Sequence, residues 1–537
     1  MKFRIFLLFI FFSTIICKSQ TWKTYPYTPT ESLISFPKDE GHHASEPIEW
    51  WYTTGHLKGK STGTNYSYML SYFFYTYQGF DGFRILNITN DDTGEKYFNT
   101  SPVKYDVLSE DKLQIQASSA LFLPKTEKWK NKEDGNNKII PFEYTINAAS
   151  DKAEIDLEYI TVKRPLILGD DGKFDQGASS YTYYYSLTKN EVTGKIIFNG
   201  STEDVTGTSW IDRQYGSLNP LEDEKYEWMS IQLSNGMDIN LWNLFTDDDK
   251  IPDNLNYKLL SAYVDENTQY TIMDFVLERL EYHFTPDKER CYSQKWRLTS
   301  DKNNIDLIIS VLHKDSEVQL PFRFYEGATS ITGNVNGVAV TGKGFAELLH
   351  SYEVPEINIT HPNNGTFNSS ENITWNVTNP DEGNPLLFDV EYSIDDKQTF
   401  KKIAEGISET SFLWENPDIL TGENIWFKII AYSVDKTLVG SNESTNSSSF
   451  TLPVEDFNKN NFVLFPNPGD DFLQINFNQV FPNLTYQIID VNGRILINNE
   501  EKNIKNLEID IKSLGKGLYF LKVTHQNKNL HTKFLVE

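Results

Sequence analysis

Cysteine is nearly absent: the chain has two in 537 residues, at positions 17 and 291. That number builds no disulfide framework, so apolar cores must hold the fold unaided. Basic residues are also scarce, with 49 Lys and Arg against 75 Asp and Glu and a net charge of −26. Such a field repels a polyanionic backbone, so no nucleic acid partner is expected. Thirty Gly and 21 Pro are too few for collagen-like or low-complexity classes. Long apolar runs are missing except at the N-terminus, where Lys2 and Arg4 precede Ile5 to Cys17. That run is too short to span a bilayer and matches a signal-peptide core ending at Ser19. The mature chain then starts at Gln20 with no transmembrane segment expected. Bulky Ile16 argues against a lipid-modified Cys17. The sequence also has no G-x-S-x-G elbow, phosphate-binding glycine loop or H-E-x-x-H, which argues against serine hydrolase, kinase and zincin chemistry.

What is present is aromatic and strand-like: 39% of residues are hydrophobic and 14% aromatic. Tyr66 to Tyr77 and Tyr181 to Thr188 suit a pleated, half-buried surface. Tyr226 to Leu233 and Met237 to Phe245 flank Ser234-Asn235-Gly236, and Asn-Gly fits the two positive φ angles of a type I′ hairpin. Further turns fall at Asp170-Asp171-Gly172 and Asn336-Gly337. Only Ile272 to Leu280 hints at a helical period. At about 150 residues per domain the length suggests three or four domains. The expected class is all-β. Near Val354 the composition turns to Asn, Ser and Thr, with Trp375, Trp414 and Trp426 spaced as core anchors, and 354–453 predicts an immunoglobulin-like sandwich. A polar linker at 454–461 and a last strand-rich unit at 462–537 follow.

Three segments concentrate chemistry. In FPKDEGHHASEPIEWWYTTGHL, alternation puts Glu49 and Trp51 on one strand face and Trp50 and Tyr52 on the other. A carboxylate beside two indoles is either proton-active or the partner of a buried donor, with the Trp pair filling a barrel end. His42 and His43, adjacent on an extended chain, point apart, so no metal is expected there. In GTSWIDRQYGS, Trp210, Asp212 and Gln214 share one face and Ile211, Arg213 and Tyr215 the other. Asp212 could be a general acid in an apolar site or half of an Asp–Arg structural pair. In YEGATSITGNVNGVAVTGKGFAELLHSY the glycines suit bulges, and Glu326 and Glu347 are the carboxylates of interest. Two inward carboxylates also fit a glycosidase, but nothing in the sequence sets their separation.

These segments, with YYYSLT and Trp296-Arg297-Leu298, resemble the lipocalin-like family of secreted AttH-type proteins and carotenoid 1,2-hydratases over Phe36 to Glu353. The resemblance implies two consecutive lipocalin-like β-barrels, at 20–217 and 218–353, and cofactor-free acid/base chemistry, hydration, cyclisation or hydrolysis, on an apolar unsaturated, isoprenoid- or lipid-like small molecule. Arg213 stands where the hydratases carry His, and Tyr215 where they carry Trp, which favours the AttH-type branch. The implied site has Asp212 as acid and Glu49 orienting it or activating water. Trp50, Trp51, Tyr184, Trp210, Arg213 and Tyr215 line a pocket for an apolar small molecule, and no cofactor or metal is expected. A secreted lipid- or glycan-binding protein without turnover is the alternative. LFPNP at 464–468, YQIID at 486–490, Asn492-Gly493-Arg494, LGKGLYFLKV at 514–523 and terminal KFLV resemble a type IX secretion C-terminal sorting domain. That resemblance implies the type IX machinery as a partner and a secreted or cell-surface location.

Overall fold

The computed structural model describes residues 21–77, 79–118, 125–218, 225–319, 322–451, 462–525 and 528–537. The expected signal peptide and the 454–461 linker lie outside these residues. Among these residues every regular element is a strand apart from one 3₁₀ turn at Lys38–Glu40, as the aromatic and β-branched runs predict.

The first sheet holds β1 (Ile48–Gly59), β2 (Asn65–Tyr77), β3 (Phe80–Asn90), β4 (Lys96–Leu108), β5 (Gln114–Ser118) and β6 (Glu127–Glu133). It continues through β7 (Ile139–Ala149), β8 (Ala153–Thr161), β9 (Leu166–Ile167), β10 (Lys173–Gln176), β11 (Ser180–Phe198) and β12 (Ser201–Gly216). Neighbours pair antiparallel from β1 to β8, β11 pairs with β8, and β12 joins β11 to β1, closing a ten-strand barrel. A bulge between Leu187 and Asn190 divides β11. Its second half closes the barrel against β8, and its first half carries β9 and β10.

The second sheet comprises β13 (Lys225–Leu233), β14 (Asp238–Phe245), β15 (Lys258–Asp265), β16 (Thr268–Ile272) and β17 (Val276–Phe284). Then come β18 (Cys291–Ser300), β19 (Ile305–Val311), β20 (Glu317–Val318), β21 (Phe324–Val335) and β22 (Val338–Leu348). The order is β16-β15-β14-β13-β22-β21-β19-β18-β17 with β20 on β21. The sheet curls around one core containing Met229, Leu260, Leu277, Trp296 and Tyr325, but among the described residues β16 and β17 do not pair. This second barrel is therefore open along one seam. Ile272 to Leu280 holds no helix: Ile272 ends β16, residues 273–275 connect, and β17 begins at Val276, where Leu277 is buried between exposed Val276 and half-buried Glu278, a period of two. The 226–245 hairpin forms, yet Asn235 keeps an ordinary φ and only Gly236 is positive, at 91°. The extra loop residue relieves the need for a type I′ turn. At Asn336-Gly337 both φ angles are positive, 52° and 74°.

Residues up to Gly365 form one unit with 372–413 and 424–448; residues 366–371, 414–423 and 449–537 form another. In the first unit the strands at 357–361, 372–377 and 411–413 form one antiparallel sheet, and those at 386–393, 401–407, 424–433 and 439–443 pair antiparallel in another. Trp375 is buried in one, while Trp426 faces outward under Lys397, because the inward set of its strand is Ile425, Phe427, Ile429 and Ala431. Trp414 belongs to the second unit and is buried. The second unit's own core is Leu473, Ile475, Phe481, Ile488, Leu521 and Phe534.

Three apolar layers position the site. Trp51, Tyr72, Trp129 and Tyr215 fill the first barrel, and the core of the second sheet is separate. Between them lies a third layer, with Tyr52, Tyr184 and Trp210 from the barrel wall and Trp228, Trp242 and Phe345 from the second sheet.

Candidate functional site between the two sheets

Strand alternation sorts the motif residues onto two faces. β1 places Glu49 opposite Tyr215, Trp51 opposite Arg213 and Tyr52 opposite Asp212. Glu49, Trp51, Arg213 and Tyr215 consequently face the barrel interior. Trp50, Tyr52, Trp210, Asp212 and Gln214 face the layer shared with the second sheet. Asp212 and Glu49, expected to act as acid and partner, stand on opposite faces of one sheet, so that pairing is corrected.

On the interior face Glu49 is fully buried and ion-paired with Arg213. It also meets His42 Nδ1 at 2.5 Å and His43 Nδ1 at 2.7 Å. The guanidinium lies 4.0 Å from the Trp51 ring centre, and the His43 ring stacks on Tyr215 at 3.5 Å. Burial alone would raise the Glu49 carboxyl, but Arg213 and the two histidines hold it well below the usual carboxylate range. It is a fixed anion rather than a proton donor. Glu49, Trp51, Arg213 and Tyr215 thus build the barrel end and do not reach Asp212. The histidines converge on one carboxylate because the chain after the 3₁₀ turn is bent, not extended as expected.

On the outer face Asp212 is covered by the second sheet. Its Oδ1 accepts from Ser186 Oγ at 2.5 Å and Trp210 Nε1 at 2.7 Å, and its Oδ2 from Tyr184 Oη at 2.7 Å. Asn240 Nδ2, from β14, donates to Tyr184 Oη at 3.0 Å and Ser186 Oγ at 3.1 Å. Burial pushes the Asp212 carboxyl up to about 7, and the three donors offset only part of that rise. At neutral pH it therefore exchanges a proton readily.

The second sheet faces it with two more carboxyls. Glu326 on β21 and Glu347 on β22 are direct cross-strand partners. Tyr52 donates to Glu326 Oε1 at 2.9 Å, and Tyr226 donates to Glu347 Oε1. Burial raises both, and the neighbouring charge of Glu347 raises Glu326 further. Glu326 Oε2 is buried with no hydrogen-bond partner.

Between the sheets is a cavity of about 30 Å³ lined by Trp50, Tyr52, Tyr184, Tyr226, Trp242 and Glu347, among others. It has room for one or two waters. Trp242 Nε1 is buried without a hydrogen-bond partner, leaving a donor for an acceptor placed there. Trp50 and Phe73, half-buried, stack at 5.6 Å. Of the residues expected from sequence, Asp212, Trp50, Tyr184 and Trp210 come together. Asp212 reaches the cavity through Tyr184, whereas Glu347 lines it directly. Tyr52, Ser186, Tyr226, Asn240 and Trp242 were not singled out, having no local pattern to mark them.

No helix among the described residues is long and apolar enough to cross a membrane. No curated protein matches the chain. Residues 463–537 match the secretion system C-terminal sorting domain, so the protein is exported to the cell surface or released. The chain is similar to the crystal structure of an AttH from Nitrosomonas europaea, at 19% identity over 60% of this chain and 99% of that one, with a TM-score of 0.49. It is also similar to kievitone hydratase from Nectria haematococca, at 16% identity over 61% and 99%, with a TM-score of 0.48. The AttH-like family matches residues 27–352, more than half of the chain and both sheets that flank the three carboxyls. The chain therefore belongs to the AttH-like family.

Proposed function

We propose that this is an exported, cofactor-independent enzyme that adds water to, or cyclises, an apolar unsaturated small molecule in the layer between the two sheets. The observation that carries this reading is three buried carboxyls, all shifted toward the neutral acid, around one aromatic cavity: Glu347 lines it, Glu326 stands directly across the strands from Glu347, and Asp212 accepts a hydrogen bond from Tyr184, which lines it. A site built for carriage alone has no use for three buried carboxyls, each of which costs free energy to bury.

In the reaction, protonated Asp212 donates to Tyr184 Oη, and the Tyr184 hydrogen turns to the substrate carbon. The developing cation lies against the faces of Trp50 and Trp242. Glu347, as the ionised member of its pair, takes the proton of the attacking water, whose oxygen bonds to the cationic carbon. Proton and hydroxyl add across one double bond, and the proton returned to Glu347 balances the one Asp212 gives up. Because the cavity is water-sized, the substrate enters by displacing the half-buried pair Trp50 and Phe73.

The test is native mass spectrometry of the full chain after exposure to lipid and polyene extracts of the host. A released product heavier by one water supports hydration, and one isomeric with its precursor supports cyclisation. In either case Glu347→Gln should retain the precursor unconverted. A ligand held unchanged by the wild type would instead establish carriage, and no retained ligand would refute the site.

A further inference from the structure

The second sheet and the adjoining 372–413 segment, parts of the same unit, meet at a trio of side chains that the proposed chemistry does not use. Asp249 lies in the loop after β14, His350 just after β22, and Asp381 in the turn following the strand Asn372–Val377. One carboxylate oxygen from each Asp and a ring nitrogen of His350 all lie within 4.8 Å of one another. The His350 side chain is 1% exposed and Asp381 4%, while Asp249, at 24%, opens toward solvent.

His350 supplies the observation that sets this trio apart from an ordinary acidic cluster. Its ring is clamped flat on Phe245 at 3.8 Å and edge-on to Tyr352 at 4.6 Å. Held there, Nε2 faces Asp381 Oδ1 at 3.2 Å. Nδ1 is buried with no hydrogen-bond partner and points at Asp249 Oδ1, 3.8 Å away. A buried ring nitrogen left unsatisfied is destabilising, and a cation beside Asp249 would satisfy it.

The Asp381 carboxylate and the Asp249 backbone are already held from behind. Asp381 Oδ2 accepts the Glu353 N–H at 3.1 Å, and the Asp249 carbonyl accepts the Glu382 N–H at 3.0 Å. Lys225 Nζ occupies Asp249 Oδ1 at 2.6 Å, but its side chain is 39% exposed and can swing into the adjoining cleft. That cleft, about 710 Å³ and lined in part by Lys225, Asp249 and Tyr352, gives an ion its path from solvent.

We propose that Asp249, His350 and Asp381 bind a divalent transition-metal ion of the zinc class that ties the 372–413 segment to the second sheet. Two oxygens and one imidazole nitrogen suit zinc better than calcium or magnesium, which take oxygen ligands. Zinc bonds of roughly 2.0–2.2 Å place ligands about 3–3.5 Å apart, so the three atoms, now within 4.8 Å of one another, would close in by up to about 1.5 Å as Asp381 gives up its hydrogen bond with Nε2.

The test uses the full chain without a polyhistidine tag, stripped by chelator and titrated calorimetrically with ZnCl₂, CaCl₂ and MgCl₂. We expect one zinc ion at micromolar or tighter affinity, a raised melting temperature, and binding weakened at least tenfold in both His350→Gln and Asp381→Asn. Hydrogen exchange of the wild type should show zinc-dependent protection at 246–250 and 380–384, a readout that does not depend on the variants folding. No stoichiometric zinc, zinc bound equally by both variants, equal or tighter calcium binding, or unchanged exchange in those segments would each overturn the proposal.

Discussion

Asp212 is fully buried yet surrounded by donors, and the balance of those two effects sets its chemistry. Its folded value near 7 means that the folded chain binds more protons than the unfolded chain between about pH 4 and pH 7. Stability contributed by the neutral form is therefore complete below about pH 4 and is lost as pH rises through 7. At about 1.36 kcal/mol per unit, the loss amounts to about 4 kcal/mol. Asp212→Asn removes this slope but turns an amide N–H₂ toward Ser186, Tyr184 or Trp210, all of which donate to the native carboxyl. The variant should be clearly less stable than wild type at pH 5, with the gap narrowing by pH 8, while turnover falls roughly 10²–10⁴-fold. Melting curves across that range and one rate measurement check both statements. A gap that widens with pH, or full turnover, would remove Asp212 from the acid role.

At the scale of elements, β1 and β12 carry two separate arrangements, one on each face. Glu49→Gln leaves the Arg213 guanidinium buried without its counter-charge, a change that costs about 3–5 kcal/mol. Because Glu49 faces away from the cavity, turnover per folded molecule should drop less than tenfold, in contrast to Asp212→Asn. Denaturant unfolding combined with activity normalised to the folded fraction measures this. A loss of turnover comparable to that of Asp212→Asn would show that the two faces communicate. The face of each residue was legible from alternation alone: Trp210, Asp212 and Gln214 part from Ile211, Arg213 and Tyr215 as the sequence predicts. The pairing of Glu326 with Glu347 was not read from the sequence, which marked only the two carboxylates; the structure sets Val335 opposite Val338 across the turn at Asn336-Gly337, and equal steps outward bring the two glutamates together. The meeting of Tyr52 with Glu326, and of Tyr184 with Asn240, was not legible. Those contacts span 274 and 56 residues and depend on how one sheet docks on another. Nor does a local pattern reveal that His42 and His43 turn onto one carboxylate, since a three-residue 3₁₀ turn with no side-chain cap precedes them.

For the molecule as a whole, the proposed site and the sorting domain lie in different units. Strands 472–490 and 495–510 pair with each other and build their own core in the second unit. Deleting 462–537 should therefore leave the melting transition of the first unit unchanged while abolishing release. Fractionation of a host carrying the truncated gene is the check, and normal surface delivery would contradict it. The placement of β12 bears on how quickly the molecule can form. β1 has β2 as a near neighbour in the chain, but its other edge waits for residues 205–216, and Glu49 meets Arg213 only across 164 residues. The barrel cannot close strand by strand from its start; its two most distant edges must find each other last. Non-local β topologies of this kind fold in about milliseconds to seconds rather than microseconds. A nascent chain thus spends that interval with the aromatic edge of β1 unpaired, open to pairing with another copy. Cys291, the one cysteine among the described residues, is buried and in no disulfide, so within the barrels the race between closure and aggregation is decided by backbone pairing.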